Sequence, residues 1–107
     1  MTVRQIEPRA LRDWLSGDDR PLLLDVREPF ELALAALPGA RAIPLRTLPS
    51  AIASLDPDVP VVVLCHHGVR SMAAAHFLVE QGFDAVWNLT GGIDRYSLDA
   101  DPAVPRY

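Results

Sequence analysis

Apolar residues along this chain form two patterns that alternate from one end to the other. Leu22 to Val26 and Val61 to Leu64 are short runs with little or no polar interruption, the pattern of strands covered on both faces. Val3 to Ile6, Ala42-Ile43 and Ala85 to Leu89 are shorter stretches that also read as strands. Between them the apolar positions take helical spacing. Leu11, Trp14 and Leu15 follow Glu7-Pro8 and end at Gly17, and Phe30, Leu34 and Leu37 follow Pro29 and end at Pro38-Gly39. Leu48, Ile52 and Leu55 make a third amphipathic pattern, with Thr47 as its N-cap and Asp56-Pro57 as its end. A helix from about Arg70 to Gln81 stops at Gly82, and a short last one covers Ile93 to Leu98 after Gly91-Gly92. Residues 101–107, rich in proline, read as a tail.

Strands alternating with helices over the whole length predict an α/β fold with a central, mainly parallel sheet of about five strands and helices on both faces. A chain of 107 residues makes this one domain, 1–107. Ligands of such sheets bind beyond the carboxyl ends of the strands. Val61 to Leu64, apolar at every position, is the expected central strand, and Cys65 stands at its carboxyl end.

Composition narrows the chemistry. All ten basic residues are arginine, which removes Schiff-base catalysis and a P-loop lysine together. A single cysteine excludes an internal disulfide, a CxxC redox pair and a cysteine-rich zinc site, and points to a reducing compartment. The net charge of −4 gives no attraction for nucleic acid or anionic membranes. Neither a signal-peptide pattern nor a run of ~18 apolar residues is found, so a cytoplasmic protein without membrane contact is expected.

The segment CHHGVRS, Cys65 to Ser71, carries the chemistry. A lone cysteine after VVVL reads by itself as a buried hydrophobe. Its neighbours change that reading. Four residues, His66, His67, Gly68 and Val69, separate Cys65 from Arg70, and a helix begins at once. The backbone N–H groups of such a turn converge on the sulfur at the positive end of a helix, where a thiolate is favoured. Gly68 lets the backbone turn its N–H inward. Arg70 is electrostatically misplaced at a helix start unless an anion sits there. Adjacent His66 and His67 point in different directions and no acidic partner lies nearby in sequence, so no metal is expected.

These features resemble the single-domain rhodaneses, a family of sulfurtransferases. CHHGVRS is similar to that family's active-site loop, LLLDVREPFE to its D-x-R-E signature, LPGARAIPL to its G-A-x-x-I-P segment and NLTGGIDRY to its late G-G segment. Three positions, in two places, depart from the family pattern. Ala35 and Ala36 replace the usual glycine and histidine, and Tyr96 replaces the usual tryptophan.

The resemblance implies a persulfide formed on Cys65 from a small anionic sulfur donor such as thiosulfate. A thiophilic acceptor then takes the sulfur: cyanide, a thiol or an acceptor protein. It implies no cofactor or metal. The N–H groups from His66 to Arg70 would hold the terminal sulfur, with Ser71 completing the loop, and Arg70 would help anchor the donor and shape the loop. Asp25 and Arg27, the D-x-R pair, are expected to support the loop, and Arg46, at another strand end, to line the mouth or stand in solvent. Two rivals remain. One is a rhodanese-like binding or sulfur-relay module. The other is a phosphatase or arsenate reductase, whose cradle resembles this one with one residue more between cysteine and arginine.

Overall fold

The computed structural model describes residues 2–107. Five strands form one parallel sheet: β1 (Arg4–Ile6), β2 (Leu22–Asp25), β3 (Arg41–Ala42), β4 (Val61–Leu64) and β5 (Val86–Leu89), in the order β1-β5-β4-β2-β3. β4 is the central strand, as its uninterrupted valines require, and every one of its residues is buried. Its register pairs Leu64 with Asp25 on one side and Val63 with Asn88 on the other. The carboxyl ends of β2, β4 and β5 therefore open at one level, with Cys65 in the middle.

Successive side chains of β4 point to opposite faces. Val61 and Val63 pack with Leu48, Ala74, Ala75 and Leu78, whereas Val62 and Leu64 pack with Leu11, Ile93, Tyr96 and Val104. One face is thus covered by α3 (Leu48–Ala51) and α4 (Val69–Glu80), the other by α1 (Pro8–Leu15) and α5 (Gly92–Asp99). Each fully buried aliphatic side chain in these layers contributes roughly 1.5–3 kcal/mol. Ala74 and Ala75 have short side chains that let α4 lie close on the strand preceding its own loop.

Three details differ from the sequence pattern. The amphipathic stretch around Leu48 is not one helix: short 3-10 turns at Leu45–Thr47 and Ile52–Ser54 flank α3. Thr47 stands at the N-cap position of α3, but its side chain does not cap the helix, because its hydroxyl donates back to the Pro44 carbonyl. In α2 (Pro29–Leu34), Phe30 and Leu34 are exposed and Glu31 is buried, the reverse of the expected polarity. Finally, residues 101–107 do not trail as a tail. Val104 is buried against α5, its carbonyl accepts from the Ser97 hydroxyl, and Tyr107 reaches the loop after β4.

Candidate active site

The Cys65 thiol is 1% exposed and sits where β4 ends and the loop to α4 begins. Gly68 has φ +104°, a left-handed conformation that a side chain rarely adopts, and this turn brings the Gly68 N–H to 3.1 Å from Sγ. α4 begins at the next residue, so its first N–H groups, which have no intrahelical partner, open on the same side. Ser71, one turn in, places Oγ 3.3 Å from the sulfur. The expected meeting of Cys65, Gly68 and Ser71 is therefore observed, whereas Val69 points away and is 80% exposed.

The carbonyls of the loop are turned the other way by α5. Ile93 N–H donates to Cys65 O at 2.9 Å and Asp94 N–H to His66 O at 3.2 Å. This explains the second of the two glycines. A Cβ on Gly92 would stand 2.3 Å from His66 O and 2.6 Å from Cys65 O, so only glycine lets the helix start approach the loop. With the Cys65 and His66 carbonyls held by α5 and the Gly68 carbonyl by Asn88 and Met72, the loop has its N–H groups free to face an anion.

Arg70 does not point freely at a donor site. Its two terminal nitrogens bond the Glu31 carboxylate at 2.6 and 2.8 Å, which is why α2 turns that residue inward. Glu31 also accepts from Tyr107 Oη at 2.8 Å and from the Glu28 N–H at 3.1 Å. The Arg70 guanidinium holds the Glu31 carboxyl down at about 2 against the opposing effect of burial, and Glu31 in turn raises Arg70. The arginine is thus a fastener of the loop.

Asp25 and Arg27 are both fully buried and locked together, with Arg27 Nη2 2.7 Å from Asp25 Oδ2 and Nε 3.0 Å from Oδ1. Arg27 also donates to Ala35 O at 2.7 Å and Tyr107 Oη at 2.9 Å, so the buried charge is paired and its donors are used. Burial works against the charged guanidinium, but Asp25 and Tyr107 more than offset it and its pKa is raised. This pair reaches the loop through Tyr107 and through Glu31, whose carbonyl accepts from Arg27 at 3.5 Å. Arg46 is mostly exposed and bonded to Glu28 at 3.1 Å, on the solvent side.

His66 and His67 stack on each other with centroids 3.9 Å apart, and Tyr107 stacks on the other face of His66 at 3.9 Å and 8°. Burial, with help from His67, lowers the His66 pKa and keeps the ring neutral. Among the described residues no three His, Cys, Asp or Glu side chains are grouped to hold a metal. Glu31, Asn88, Asp94 and Tyr107 are site residues that sequence patterns did not single out. Glu31, within LLLDVREPFE, and Asn88 and Asp94, within NLTGGIDRY, carried a hint, whereas Tyr107 carried none.

Residues 7–99 match the model of the family described as Rhodanese-like domain. The chain belongs to the rhodanese-like family. It is 46% identical over 93 residues to the Rhodanese-like/PpiC domain-containing protein 12, chloroplastic, of Arabidopsis thaliana, covering 83% of this chain but only 31% of that protein. It is 40% identical over 82 residues, 75% of each chain, to the thiosulfate sulfurtransferase GlpE of Stutzerimonas stutzeri. Its fold matches the crystal structure of a rhodanese-related protein from Thermoplasma volcanium with TM-score 0.84 and 32% identity, over 97% of this chain and 99% of that one. These relatives place the rhodanese-like chain in a sulfurtransferase family, with the single rhodanese-like α/β domain that its strand order already described. Tyr96, one departure from the family pattern, is accommodated in the core layer with Leu11 and Ile93.

Proposed function

We propose that this protein moves a sulfane sulfur from a donor such as thiosulfate to a thiophilic acceptor through a persulfide on Cys65. The observation that carries the reading is the sulfur at the end of the central strand, 3.1 Å from the Gly68 N–H, at the start of α4. The Cys65 thiolate attacks the outer sulfur of thiosulfate. A new S–S bond forms at Sγ, the bond to the inner sulfur breaks, and sulfite leaves with the electron pair. The terminal sulfur remains as an anion under the N–H groups of the loop. Cyanide or a thiolate then attacks it, taking the sulfur as thiocyanate or a new persulfide and returning the Cys65 thiolate. Once the thiolate has formed, no further base and no cofactor enters this scheme.

Arg70 serves this chemistry by holding the loop onto α2, and its positive charge adds to the field at the sulfur. A protein thiol as acceptor is favoured by Val69, an apolar residue of the loop that is 80% exposed, and this supports sulfur relay as the second reading. The four-residue spacing from Cys65 to Arg70 supports sulfur over phosphate. The test is incubation with thiosulfate followed by intact mass measurement. One added sulfur, removed by cyanide with release of thiocyanate, is the expected result, and an unchanged mass would overturn the proposal.

A further inference from the structure

Behind Cys65 a chain of hydrogen bonds runs through Ser71 and Asn88 to Gln5, and a backbone carbonyl fixes its direction. Gly68 O can only accept, so Asn88 presents Nδ2 to it at 3.3 Å. The same nitrogen donates to Gln5 Oε1 at 3.2 Å. Asn88 Oδ1 therefore faces Ser71, and it too can only accept. Ser71 has one hydroxyl hydrogen, which goes to Asn88, and it turns a lone pair toward Sγ at 3.3 Å. The sulfur that matches this arrangement is an S–H that donates to Ser71 while accepting from the Gly68 N–H.

A thiolate does not match it. Against the Ser71 lone pair a charged sulfur is repelled, and both Ser71 and Asn88 are buried, with 0% and 4% exposure, so solvent does not relieve the mismatch. The remedy is local: the Ser71 hydroxyl turns, its bond to Asn88 Oδ1 breaks, a bond to the sulfur anion forms, and the thiol proton passes to a base in solvent. The other charged or titratable groups on the surrounding elements are paired with one another, although the charge of Arg70 still adds to the field at the sulfur. Asp25 and Arg27 at the end of β2 hold each other, Arg70 of α4 is held by Glu31 of α2, and Asp94 of α5 by Arg106. His66 in the loop is stacked between His67 and Tyr107.

We infer that Asn88 is a positioning residue that holds the Ser71 hydroxyl and so keeps resting Cys65 as a hydrogen-bonded thiol until that hydroxyl turns. Its consequence for turnover rests on Cys65 being the sulfur-carrying group, but the direction of the hydrogen bonds does not. Because Cys65 is the single cysteine, its S–H stretch can be read by Raman spectroscopy in the unmodified protein. A band shifted below that of a free thiol is expected, and an unshifted band overturns the inference without any variant.

A second measurement is the rate of Cys65 alkylation by iodoacetamide at neutral pH. Asn88→Leu frees the Ser71 proton for the thiolate and should speed alkylation about tenfold, the difference between a neutral and a charge-assisted hydrogen bond. In a Ser71→Ala background the same substitution should add nothing. Equal acceleration in both backgrounds would mean a loosened loop, and no acceleration would mean that Asn88 does not restrain the hydroxyl; either overturns the inference. Sulfur loading is scored separately, so a failure of the sulfurtransferase reading leaves these outcomes readable.

Discussion

Arg70 holds Glu31 through both ends of its guanidinium, at 2.6 and 2.8 Å, joining the start of α4 to α2 across 39 residues of sequence. The pair is lopsided in exposure, with the Arg70 side chain 37% exposed and that of Glu31 6%. It sets the height of the loop over the sulfur, because the arginine that closes the loop cannot move without the helix that carries the glutamate.

Arg70→Lys should therefore resemble Arg70→Ala more than a conservative change would. Lysine keeps the charge but not the fork, and both substitutions should lower stability by about 1–2 kcal/mol, between the values for exposed and buried pairs. In a domain of this size that is roughly 5–10 °C in Tm. Sulfur loading from thiosulfate should fall in both. A lysine variant with wild-type Tm and loading would show that charge alone is needed.

Stability should also respond to acid through Glu31. Its carboxyl is held at about 2 from an ordinary 4.5, first by the Arg70 hydrogen bonds, so the folded state binds its proton less readily than the unfolded chain. The resulting stability is fully present above about pH 4.5 and is lost as the pH falls toward 2. Glu31→Gln should have a lower Tm than wild type at pH 7, and the gap should narrow across that window. A gap constant from pH 7 to pH 2.5 would mean that the charge contributes nothing.

Gly92→Ala tests the packing of α5 on the loop. The added Cβ would meet the His66 carbonyl at 2.3 Å at a residue with φ +64°, so the loop must shift or the helix start unwind. A displacement of ~1 Å in N–H donors costs about a hundredfold in rate. Sulfur transfer should fall by that order while circular dichroism retains the α/β signal. Parent-rate transfer would show that the α5 contacts to Cys65 O and His66 O do not position the loop.

Cys65→Ser should abolish the added sulfur and thiocyanate formation. The smaller hydroxyl can still accept from the Gly68 N–H and meet Ser71, so the destabilisation should stay within about 1–2 kcal/mol. Thiosulfate-dependent sulfur loading in this variant would remove Cys65 from the reaction.

The sequence by itself determined the parallel sheet, the central place of Val61 to Leu64, and the strand-loop-helix segment holding Cys65, Gly68 and Ser71. Those features depend on patterns within a few residues: unbroken β-prone runs, helical spacing, and a glycine where the backbone must take a positive φ. Only the tertiary structure decided what surrounds them. Phe30 and Leu34 looked like a core face, yet α2 buries Glu31, because the arginine that neutralises it arrives from α4. That Arg70 shapes the loop was legible at the helix start, but its partner Glu31 was not, for the same reason seen from the other side. Residues 101–107 looked like a tail because prolines interrupt every periodic signal there, but Tyr107 meets Glu31 across 76 residues and stacks on His66. A buried charge or ring is stable only beside its partner, and these partners lie far apart along the chain until the sheet brings its strand ends to one edge.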